Sequence, residues 1–496
     1  MSGSVRTAVA LWRQRGARSG GERAFTVYLL AMVALVAVAP VVRAVWLEAA
    51  GPGGLSLFAD PRAPRVIALI TSIIWAAALA WGPSRGPALR PPALTWALGT
   101  SALSRRRAFL GPVLIAGILS IGLWTAGAVL AGASLAVNGV ASAAAVIGFA
   151  VAGALGGAVT ICAWLVGQAL PRLALPAAAI VLGLGVLAIA VPAVGIATPM
   201  GWVAASYPLG EATSAPIPLA ALALVLSALI PWLLDRLRTD ELLAQAVRAQ
   251  TAQTSAVGLD LGGAADVYRA RPSHGRRLRA VGAHGRLWSA VIRRDAVGAL
   301  RTPLRLALGV AALSLAGVLA AIAAAPGTPA MVLGAVAGLL AFAGLGPVTD
   351  GIRHAASAAA DVPLYGVADA SLVALHAVFP LAAAIALATI AAGLATTVSG
   401  VGAAPVLAGA LLVLMTLALR LASALKGPMP VALLAPVSTP MGDPMAGVRL
   451  VWALDAAVLA AASGAAIVVL PAAPLATCVV AGVIAVIIAV RWRGRR

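Results

Sequence analysis

The sequence predicts an all-α, polytopic membrane protein with about twelve transmembrane helices arranged in two six-helix halves. The 496-residue chain is 62% hydrophobic and has a mean hydropathy of +1.03. Only 10% of its residues are charged, whereas a soluble protein carries roughly a quarter. Long apolar segments follow one another from Phe25 to Val490, and the arginines between them fall on alternate sides. A lipid bilayer accommodates this much apolar surface, which a soluble core does not.

Most of these segments are long enough to cross a bilayer, which takes about 20 helical residues. Two of them are short and are predicted to be tilted, broken or partly re-entrant: 65–82 and 331–347. The predicted spans of the first half lie near 25–46, 65–82, 109–133, 141–166, 173–197 and 215–234. Those of the second half lie near 303–325, 331–347, 370–393, 401–421, 448–470 and 473–491.

The placement of arginine predicts the orientation, because cytoplasmic loops of membrane proteins carry an excess of Lys and Arg. The N-terminal stretch, the connection 83–108, the middle segment 235–302 and the C-terminal tail are all rich in arginine. An exception is the first external loop, which contains Arg62 and Arg65. We therefore expect a multi-pass protein of the cell (cytoplasmic) membrane with both termini in the cytoplasm. The connections without arginine or lysine are 134–140, 198–214, 326–330 and 394–400.

The order of the segments predicts a duplicated chain. Leu11-Trp12 precedes the first span at nearly the distance at which Leu287-Trp288 precedes the seventh. Each half then alternates hairpins with cytoplasmic connections, and the even number of spans gives both halves the same orientation. The predicted domains are a first transmembrane half at 1–235, a cytoplasmic helix and basic linker at 236–302, and a second transmembrane half at 303–496.

The middle segment is predicted to have two parts. Asp235–Thr254 contains good helix formers with one apolar stripe, so it is expected to extend the sixth span into the cytoplasm. The stretch 255–285 is rich in Gly, Ala and Arg, which is typical of a flexible linker. It is too short and too polar for a catalytic domain.

Charge and cysteine content exclude several kinds of site. The net charge of +20 is almost entirely arginine, since Lys426 is the only lysine. In a membrane protein this balance favours contact with anionic headgroups of the lipid bilayer, and no nucleic-acid partner is predicted. Cys162 and Cys478 lie inside apolar segments, so no disulfide, metal site or other cofactor is predicted. No Gly-x-x-x-x-Gly-Lys-Ser/Thr loop occurs, so this chain is not expected to bind or hydrolyse ATP.

Several basic stretches and connections point to a known layout. Leu11-Trp12-Arg13 and Leu287–Asp295 precede the first span of each half. The second and third spans are joined by Pro91–Arg107, which reads PPALTWALGTSALSRRR, and by Asp361–Ser371, which reads DVPLYGVADAS. Together with Lys426–Pro444, these features resemble the permease subunits of ABC-type exporters, in the fused twelve-helix form of high-GC bacteria. The resemblance covers most of the chain.

In that family the connections form coupling helices that dock on separate ATPase subunits. The resemblance therefore implies a permease subunit that is not itself an enzyme and is powered by an ABC-type ATPase subunit. The two connections differ strongly in charge, and the alternative is that both are ordinary inter-helix loops. The partner-facing residues that the resemblance implies are Trp96, Leu98, Thr100 and Leu103 in the first half and Tyr365, Val367 and Asp369 in the second.

Ionisable side chains are few within the predicted spans. Besides Arg43 near the outer end of the first span, the two that stand out are His376 in the ninth and Asp455 in the eleventh. Burying such groups is costly, so both are candidates for function. Asp455 follows Arg449 by less than two turns, and pairing at the cytoplasmic interface is its alternative. For His376 the alternative is a neutral ring that is hydrogen-bonded between helices. The scarcity of such groups argues against a proton-coupled transporter.

Two other classes of protein share part of this pattern. A secondary transporter has the same arrangement of six plus six spans, although 83–107 lacks the acidic residue that its best-known form carries there. A polyprenyl-linked membrane glycosyltransferase would need a catalytic acid in the first external loop, where Glu48 and Asp60 lie. The scarcity of intramembrane charge favours an apolar or amphipathic substrate.

Overall fold

Every regular element that the computed structural model describes is a helix. In this described part, eleven helices are long and apolar enough to cross a membrane. The predicted fold class, an all-α polytopic membrane protein, is therefore confirmed. The structure describes residues 7, 10–11, 20–209, 216–269, 272, 274–275, 277–280, 286–359, 366–399, 402–427, 429–430, 433 and 445–494.

The chain divides into two compact units, Met1–Thr254 and Ser255–Arg496. The division falls within the segment that the sequence predicts to separate the two halves. The helices of the first unit are α1 Gly20–Val33, α2 Ala39–Ala50, α3 Pro52–Phe58, α4 Ala63–Trp81, α5 Pro92–Gly99, α6 Arg105–Val137, α7 Ala143–Ala169, α8 Pro171–Ala190, α9 Pro192–Ala197, α10 Pro199–Ala205, α11 Pro216–Ala228, α12 Ile230–Asp235 and α13 Thr239–Val257, with a π-helical turn at Ala34–Val38.

The helices of the second unit are α14 Leu261–Asp266, α15 Leu287–Leu300, α16 Pro303–Ala323, α17 Ala330–Gly344, α18 Asp350–Ala358, α19 Asp369–Ser399, α20 Ala404–Ala424, α21 Met445–Val468 and α22 Pro474–Arg493. Each unit has its own apolar core. In the first unit, Phe109 and Leu165 are fully buried in one cluster. In the second, Leu313 and Leu345 are buried in a larger cluster.

Proline interrupts two of the predicted spans in the first unit. In the fifth span Val191 is extended, at φ −123° and ψ 100°, and a new short helix begins at Pro192. The residue before a proline disfavours the helical conformation because its backbone clashes with the ring. In the sixth span the interruption at Leu229, just before Pro231, is only local, because Leu229 keeps helical angles of φ −80° and ψ −11°. The break at Val191 therefore divides a segment that hydropathy alone predicts to be continuous, whereas 216–235 still spans as one helix.

The span predicted to be short at 331–347 is the 15-residue helix α17. It is about 22 Å long, less than the roughly 30 Å of a hydrocarbon core. Small residues bring it close to α21. A Cβ on Gly338 would lie 1.9 Å from the carbonyl oxygen of Ala460, and one on Gly464 would lie 1.9 Å from that of Gly334. Larger side chains would separate the two helices, so this contact requires glycine.

The segment between the predicted halves is more structured than its sequence predicts. The expected extension of the sixth span is a separate helix, because α12 ends at Asp235 and α13 begins at Thr239. Part of the predicted linker forms α14, and Asp266 at its end pairs with Arg353 at 2.9 Å and with Arg269 at 2.7 Å. This described part of the linker is therefore attached to the second unit by ion pairs.

Candidate coupling surface and buried polar clusters

The connection between the second and third spans of the first unit contains the short helix α5. Pro91 is extended, at φ −51° and ψ 144°, and Pro92 takes the first helical position. A proline is favoured there because its missing N–H has no intrahelical partner in any case. The helix ends at Gly99, and α6 begins at Arg105. The helix predicted within Pro91–Arg107 is therefore present.

The two faces of α5 differ in exposure. Leu94 and Leu98, four residues apart, are 6% and 3% exposed and pack into the core of the first unit. Trp96 is 59% exposed, and the exposed Thr100 donates a 2.8 Å hydrogen bond to its carbonyl oxygen. Residues four apart lie on one face of a helix. Trp96 and Thr100 therefore form a single outward surface, which we call the α5 surface.

This arrangement corrects part of the predicted docking set. The prediction that Leu98 faces a partner is wrong, because its side chain fills the core. Leu103 is half-buried against the same core. It lies beyond the end of α5, so its seven-residue spacing from Trp96 does not place the two side chains on one helical face. For Trp96 and Thr100, docking stays a prediction.

Two buried glutamines hold the loop that leads into α5. Gln168 at the end of α7 and Gln245 in α13 are 2% and 3% exposed. Gln168 Oε1 accepts a 3.0 Å hydrogen bond from the backbone N–H of Ala88, and Gln245 Oε1 accepts one of 3.2 Å from that of Gly86. A 2.9 Å hydrogen bond joins the two amides, and Gln245 Nε2 donates to the Pro83 carbonyl oxygen at 3.0 Å. Satisfied amides thus supply most of these hydrogen bonds, and Arg248 adds one of 3.2 Å to the Ser84 carbonyl oxygen.

A second set of contacts ties the end of α5 to the start of α13. The Thr239 hydroxyl donates a 3.2 Å hydrogen bond to the Gly99 carbonyl oxygen and accepts one of 3.1 Å from Arg105. A Cβ on Gly99 would lie 2.6 Å from the Thr239 methyl group. Close by in the sequence, Arg106 pairs with Asp235. Helix α5 is therefore braced against α6 and α13 as well as against the core.

The matching connection of the second unit is described only in part. Tyr365, which is predicted to face a partner, lies outside the described residues. Val367 is half-buried and follows Gly366, whose φ is +60°. Asp369 is the first residue of α19, where a carboxylate interacts favourably with the helix dipole. Contact of Val367 and Asp369 with a partner stays a prediction.

The ninth-span candidate His376 forms a buried pair with Asp295 of α15. Their side chains are 0% and 5% exposed, and His376 Nδ1 lies 2.7 Å from Asp295 Oδ2. Gly351 covers the pair, since a Cβ there would lie 2.4 Å from both side chains. The Nε2 atom of His376 is buried and has no hydrogen-bond partner among the described residues. The carboxylate therefore orients the imidazole, and the pair attaches α15 to α19.

A second histidine lies beside this pair. The ring centroids of His354 and His376 are 6.5 Å apart in an edge-to-face arrangement. Burial lowers the pKa of His354, and the positive charge of Arg294 and the neighbouring His376 lower it further, while Asp295 acts in the opposite direction. His354 is therefore neutral more readily than a free histidine. Within the described residues, no group of three or more His, Cys, Asp or Glu could hold a metal ion.

Arginine side chains cap the end of α17. Arg305 donates a 2.5 Å hydrogen bond to Asp350 Oδ2 and one of 2.8 Å to the Gly346 carbonyl oxygen. Arg420 donates a 2.7 Å hydrogen bond to the Phe342 carbonyl oxygen, and its guanidinium carbon lies 4.0 Å from the centre of the Phe342 ring. The last carbonyl groups of a helix have no intrahelical donors. These two arginines supply donors for the end of the short span and for the turn after it.

The eleventh-span candidate Asp455 is paired with two cations. Lys426 Nζ lies 2.9 Å from its Oδ1, and Arg491 pairs with its Oδ2. Burial lowers the pKa of Lys426, which lies just beyond α20, and the hydrogen bond to Asp455 partly opposes that shift. Arg449 instead donates a 2.9 Å hydrogen bond to the Leu433 carbonyl oxygen. The cluster joins the ends of α20 and α22 to α21 and leaves Asp455 fully compensated.

The predicted first external loop contains Glu48 and Asp60, the candidate acids of the glycosyltransferase alternative. Asp60 Oδ1 accepts a 2.6 Å hydrogen bond from the backbone N–H of Arg62, which is the local bond that Asp makes in turns. Glu48 is exposed near the end of α2. The Asp60 carboxylate thus has a structural role in this turn.

Sequence reasoning missed the two residue types that organise these clusters. Gln168 and Gln245 look like ordinary polar residues at the ends of helices, and no spacing links residues 77 positions apart. Asp295 was noted only as part of a basic lead-in. A usable signal was its place as the sole acid of α15 among Arg293 and Arg294, since an isolated acid in an apolar helix face calls for a partner.

Comparison with known proteins gives a family but no characterised relative. No curated protein and no solved structure matches the chain significantly. The model of a family of unknown function, DUF6297, matches residues 60–427. The matched region includes α5 with its glutamine frame and the His376–Asp295 pair, and it ends before Asp455. Because the match covers well over half of the chain, the protein belongs to the DUF6297 family.

Proposed function

We propose that the chain is the membrane-spanning permease subunit of an ABC-type exporter, powered by a separate ATPase subunit. The observation that supports this most is the α5 surface. Trp96 is 59% exposed on a short helix between the second and third spans. In the exporters that the layout resembles, the same connection docks on the ATPase. Family membership is compatible with this role but does not specify it.

The attachment of α5 suits a coupling element. A docking helix transmits movement to the spans only if it moves with them as one body. Leu98 anchors α5 in the core, the Gln168–Gln245 pair fixes the loop before it, and Thr239 ties its end to α13. Displacement of the α5 surface would therefore move α6 and α7, which carry the third and fourth spans.

Trp96 is the expected anchor of such an interface. Large aromatic side chains that become buried on binding contribute most of the affinity at protein interfaces, and truncating one costs at least about 2 kcal/mol. That free energy corresponds to about a 30-fold loss of affinity. The neighbouring exposed alanines of α5, Ala93 and Ala97, leave room for a partner around the indole.

The test uses candidate ABC-type ATPase subunits from the same genome, co-expressed with the full chain. Wild-type chain should co-purify with its cognate ATPase and stimulate ATP hydrolysis in proteoliposomes. Trp96→Ala should weaken the complex about 30-fold and abolish the stimulation. Trp288→Ala is the matched control, because Trp288 is similarly exposed, at 51%, on α15. Unchanged binding by Trp96→Ala, or an equal loss with Trp288→Ala, would contradict the proposal.

A secondary transporter is the second candidate, and the buried His376–Asp295 pair is the observation in its favour. An imidazole held by a carboxylate inside a span, with one ring nitrogen unpaired, has the composition of a proton-binding site. In that case a pH gradient alone would drive uptake of an amphipathic dye into proteoliposomes that contain only this chain. His376→Gln would abolish the uptake. Uptake that requires ATP and a second subunit would exclude this candidate.

A further inference from the structure

An apolar groove opens on the first unit beside Pro231 of the sixth span. Helix α11 packs on α7, whereas α12 packs on both α6 and α7, so a gap lies between α11 and α6. The groove has a volume of about 360 Å³, and Ser227 is the one polar residue among the described residues that line it. The residues of its walls that matter here are Leu110, Leu114, Gly117 and Ile118 of α6 and Ile230 and Pro231 of α12.

The groove has the length of one leaflet of a bilayer. Its α6 wall runs from Leu110 to Ile121, about 16 Å along the helix axis. One leaflet contributes half of a hydrocarbon core that is roughly 30 Å thick. The wall is open at Gly117, where a Cβ would only touch Ile161 at 3.8 Å. The space is therefore long, narrow and apolar, as an extended acyl chain is.

An uncompensated arginine lies at one end of this groove. Arg107 precedes Leu110 by three residues and Leu114 by seven, so all three lie along one face of α6. Arg107 is exposed, and its side chain has no ion-pair or hydrogen-bond partner among the described residues. The acid at the end of α12 is not available to it, because Asp235 pairs with Arg106. A positive charge thus lies beside the end of the apolar groove without a counter-charge.

We propose that this groove binds an acyl chain of an anionic phospholipid whose phosphate contacts Arg107. Burial of the acyl chain alone gives little preference, because the surrounding lipid tails are equally apolar. Selectivity must come from the headgroup, and a guanidinium matches the geometry of phosphate oxygens. Arg236, whose guanidinium carbon lies 3.9 Å from the centre of the Trp232 ring, adds a second exposed cation after α12. The site does not depend on whether an ATPase docks on α5.

Photolabelling tests the proposal on the purified full chain in phosphatidylcholine vesicles. The probe is a trace of phosphatidylglycerol with a diazirine in its acyl chain. Labelling should concentrate on 110–121 and 227–231, and unlabelled phosphatidylglycerol should compete for it. Ile118→Trp should fill the groove and reduce this labelling several-fold. Leu119→Trp is the matched control, since Ile118 and Leu119 are 70% and 63% exposed but only Ile118 lines the groove.

Arginine variants test the contribution of the lipid headgroup to binding separately from that of the acyl chain. Arg107→Gln should reduce labelling by the phosphatidylglycerol probe about fivefold, the contribution of one arginine near an anionic headgroup. Labelling by a phosphatidylcholine probe should not change. Arg172→Gln, at another exposed arginine of the first unit, should have no effect. Equal labelling by the two probes, or equal effects of the two tryptophan variants, would overturn the proposal. If Ile118→Trp does not fold, competition on the wild-type chain decides between these outcomes.

Discussion

In the first unit the chain leaves its second span through Gly82-Pro83, and in the second unit it leaves α17 through Gly346-Pro347. The first of these connections is held mainly by the buried amides of Gln168 and Gln245, which bond to its backbone, together with one hydrogen bond from Arg248 to Ser84. The second is held by charged side chains, of which the Arg305–Asp350 pair bonds directly to the turn. The same position in the order of spans is therefore stabilised by two kinds of chemistry.

The difference has consequences for how each unit responds to solution conditions. Side-chain amides do not titrate across the physiological range. The hydrogen bonds by which Gln168 and Gln245 hold the loop before α5 should therefore be insensitive to pH. Ion pairs and a histidine–carboxylate pair depend on protonation, and the more exposed ones are also screened by salt. We therefore expect the first connection to be a constant frame and the second to respond to its surroundings.

Asp295→Ala should have the largest effect on stability. It leaves the Nδ1 atom of His376 buried without its partner, and breaking a buried pair costs about 3–5 kcal/mol. Unfolding in mixed-detergent titrations should measure this loss of free energy. Hydrogen exchange should become faster in α15 and the first turns of α19 while α5 keeps its protection.

Asp295→Asn is the matched variant, because it keeps an acceptor of similar shape for the ring N–H. It should lose about 1 kcal/mol, the difference between a charge-assisted and a neutral hydrogen bond. If the alanine and asparagine variants were equally destabilised, the negative charge rather than the hydrogen bond would be what holds the two helices together. If α5 lost protection to the same extent, the two connections would not be independent.

Gln168→Ala should break the first connection instead. It leaves the Ala88 N–H without its acceptor and removes a partner from Gln245, which costs about 2 kcal/mol of folding free energy. Exchange in 83–99 should become faster while α19 is unaffected, and the loss should be the same at pH 6 and pH 8. Gln250→Ala, at an exposed residue of α13, serves as control and should change stability by less than about 0.5 kcal/mol.

The smallest expected effect is the pH dependence that His354 gives to the second unit. Burial and Arg294 lower its pKa in the folded state, whereas in the unfolded chain it is about 6.5. The folded state therefore resists protonation, so stability is fully present above about pH 6.5 and is lost as the pH falls through the lowered value. The His354 ring is half-exposed, and solvent screens its interactions, so this loss of stability is small.

Melting temperatures between pH 8 and pH 5 measure that loss, with His354→Gln as the comparison. The variant should show a shallower decrease on acidification than the wild type. Parallel curves would show that His354 does not contribute to the pH response. The protection factors of α5, which are corrected for the intrinsic pH dependence of amide exchange, should be the same at both ends of the range, since the amides of Gln168 and Gln245 do not titrate.

The sequence was sufficient for features that depend on local composition. The lengths of the apolar segments predicted the spans. The short eighth span was already visible as the brief apolar run that becomes α17. The Pro91-Pro92 start and the helix-forming residues after it predicted α5. Both kinds of signal work because helix formation and bilayer burial are decided within a few turns of chain.

The sequence was not sufficient to predict which face of α5 packs into the core and which is exposed. Trp96 and Leu98 are two apolar residues of one short helix, and nothing in their order shows which of them packs inward. The core formed by Phe109 and Leu165 decides this by burying Leu98. Likewise, the predicted linker contains Asp266, whose ion pairs with Arg269 and Arg353 give it a structural position.

By itself, the sequence determined that this is a helical membrane protein, because hydropathy acts on each segment separately; the orientation that the arginines predict stays a prediction. The tertiary structure decided which polar groups matter. Gln168 meets Gln245, and His376 meets Asp295, across 77 and 81 residues of chain. A buried polar group needs a partner, but the identity of that partner is set by which helices pack together, and in an Ala-, Leu- and Val-rich chain that packing leaves no local trace.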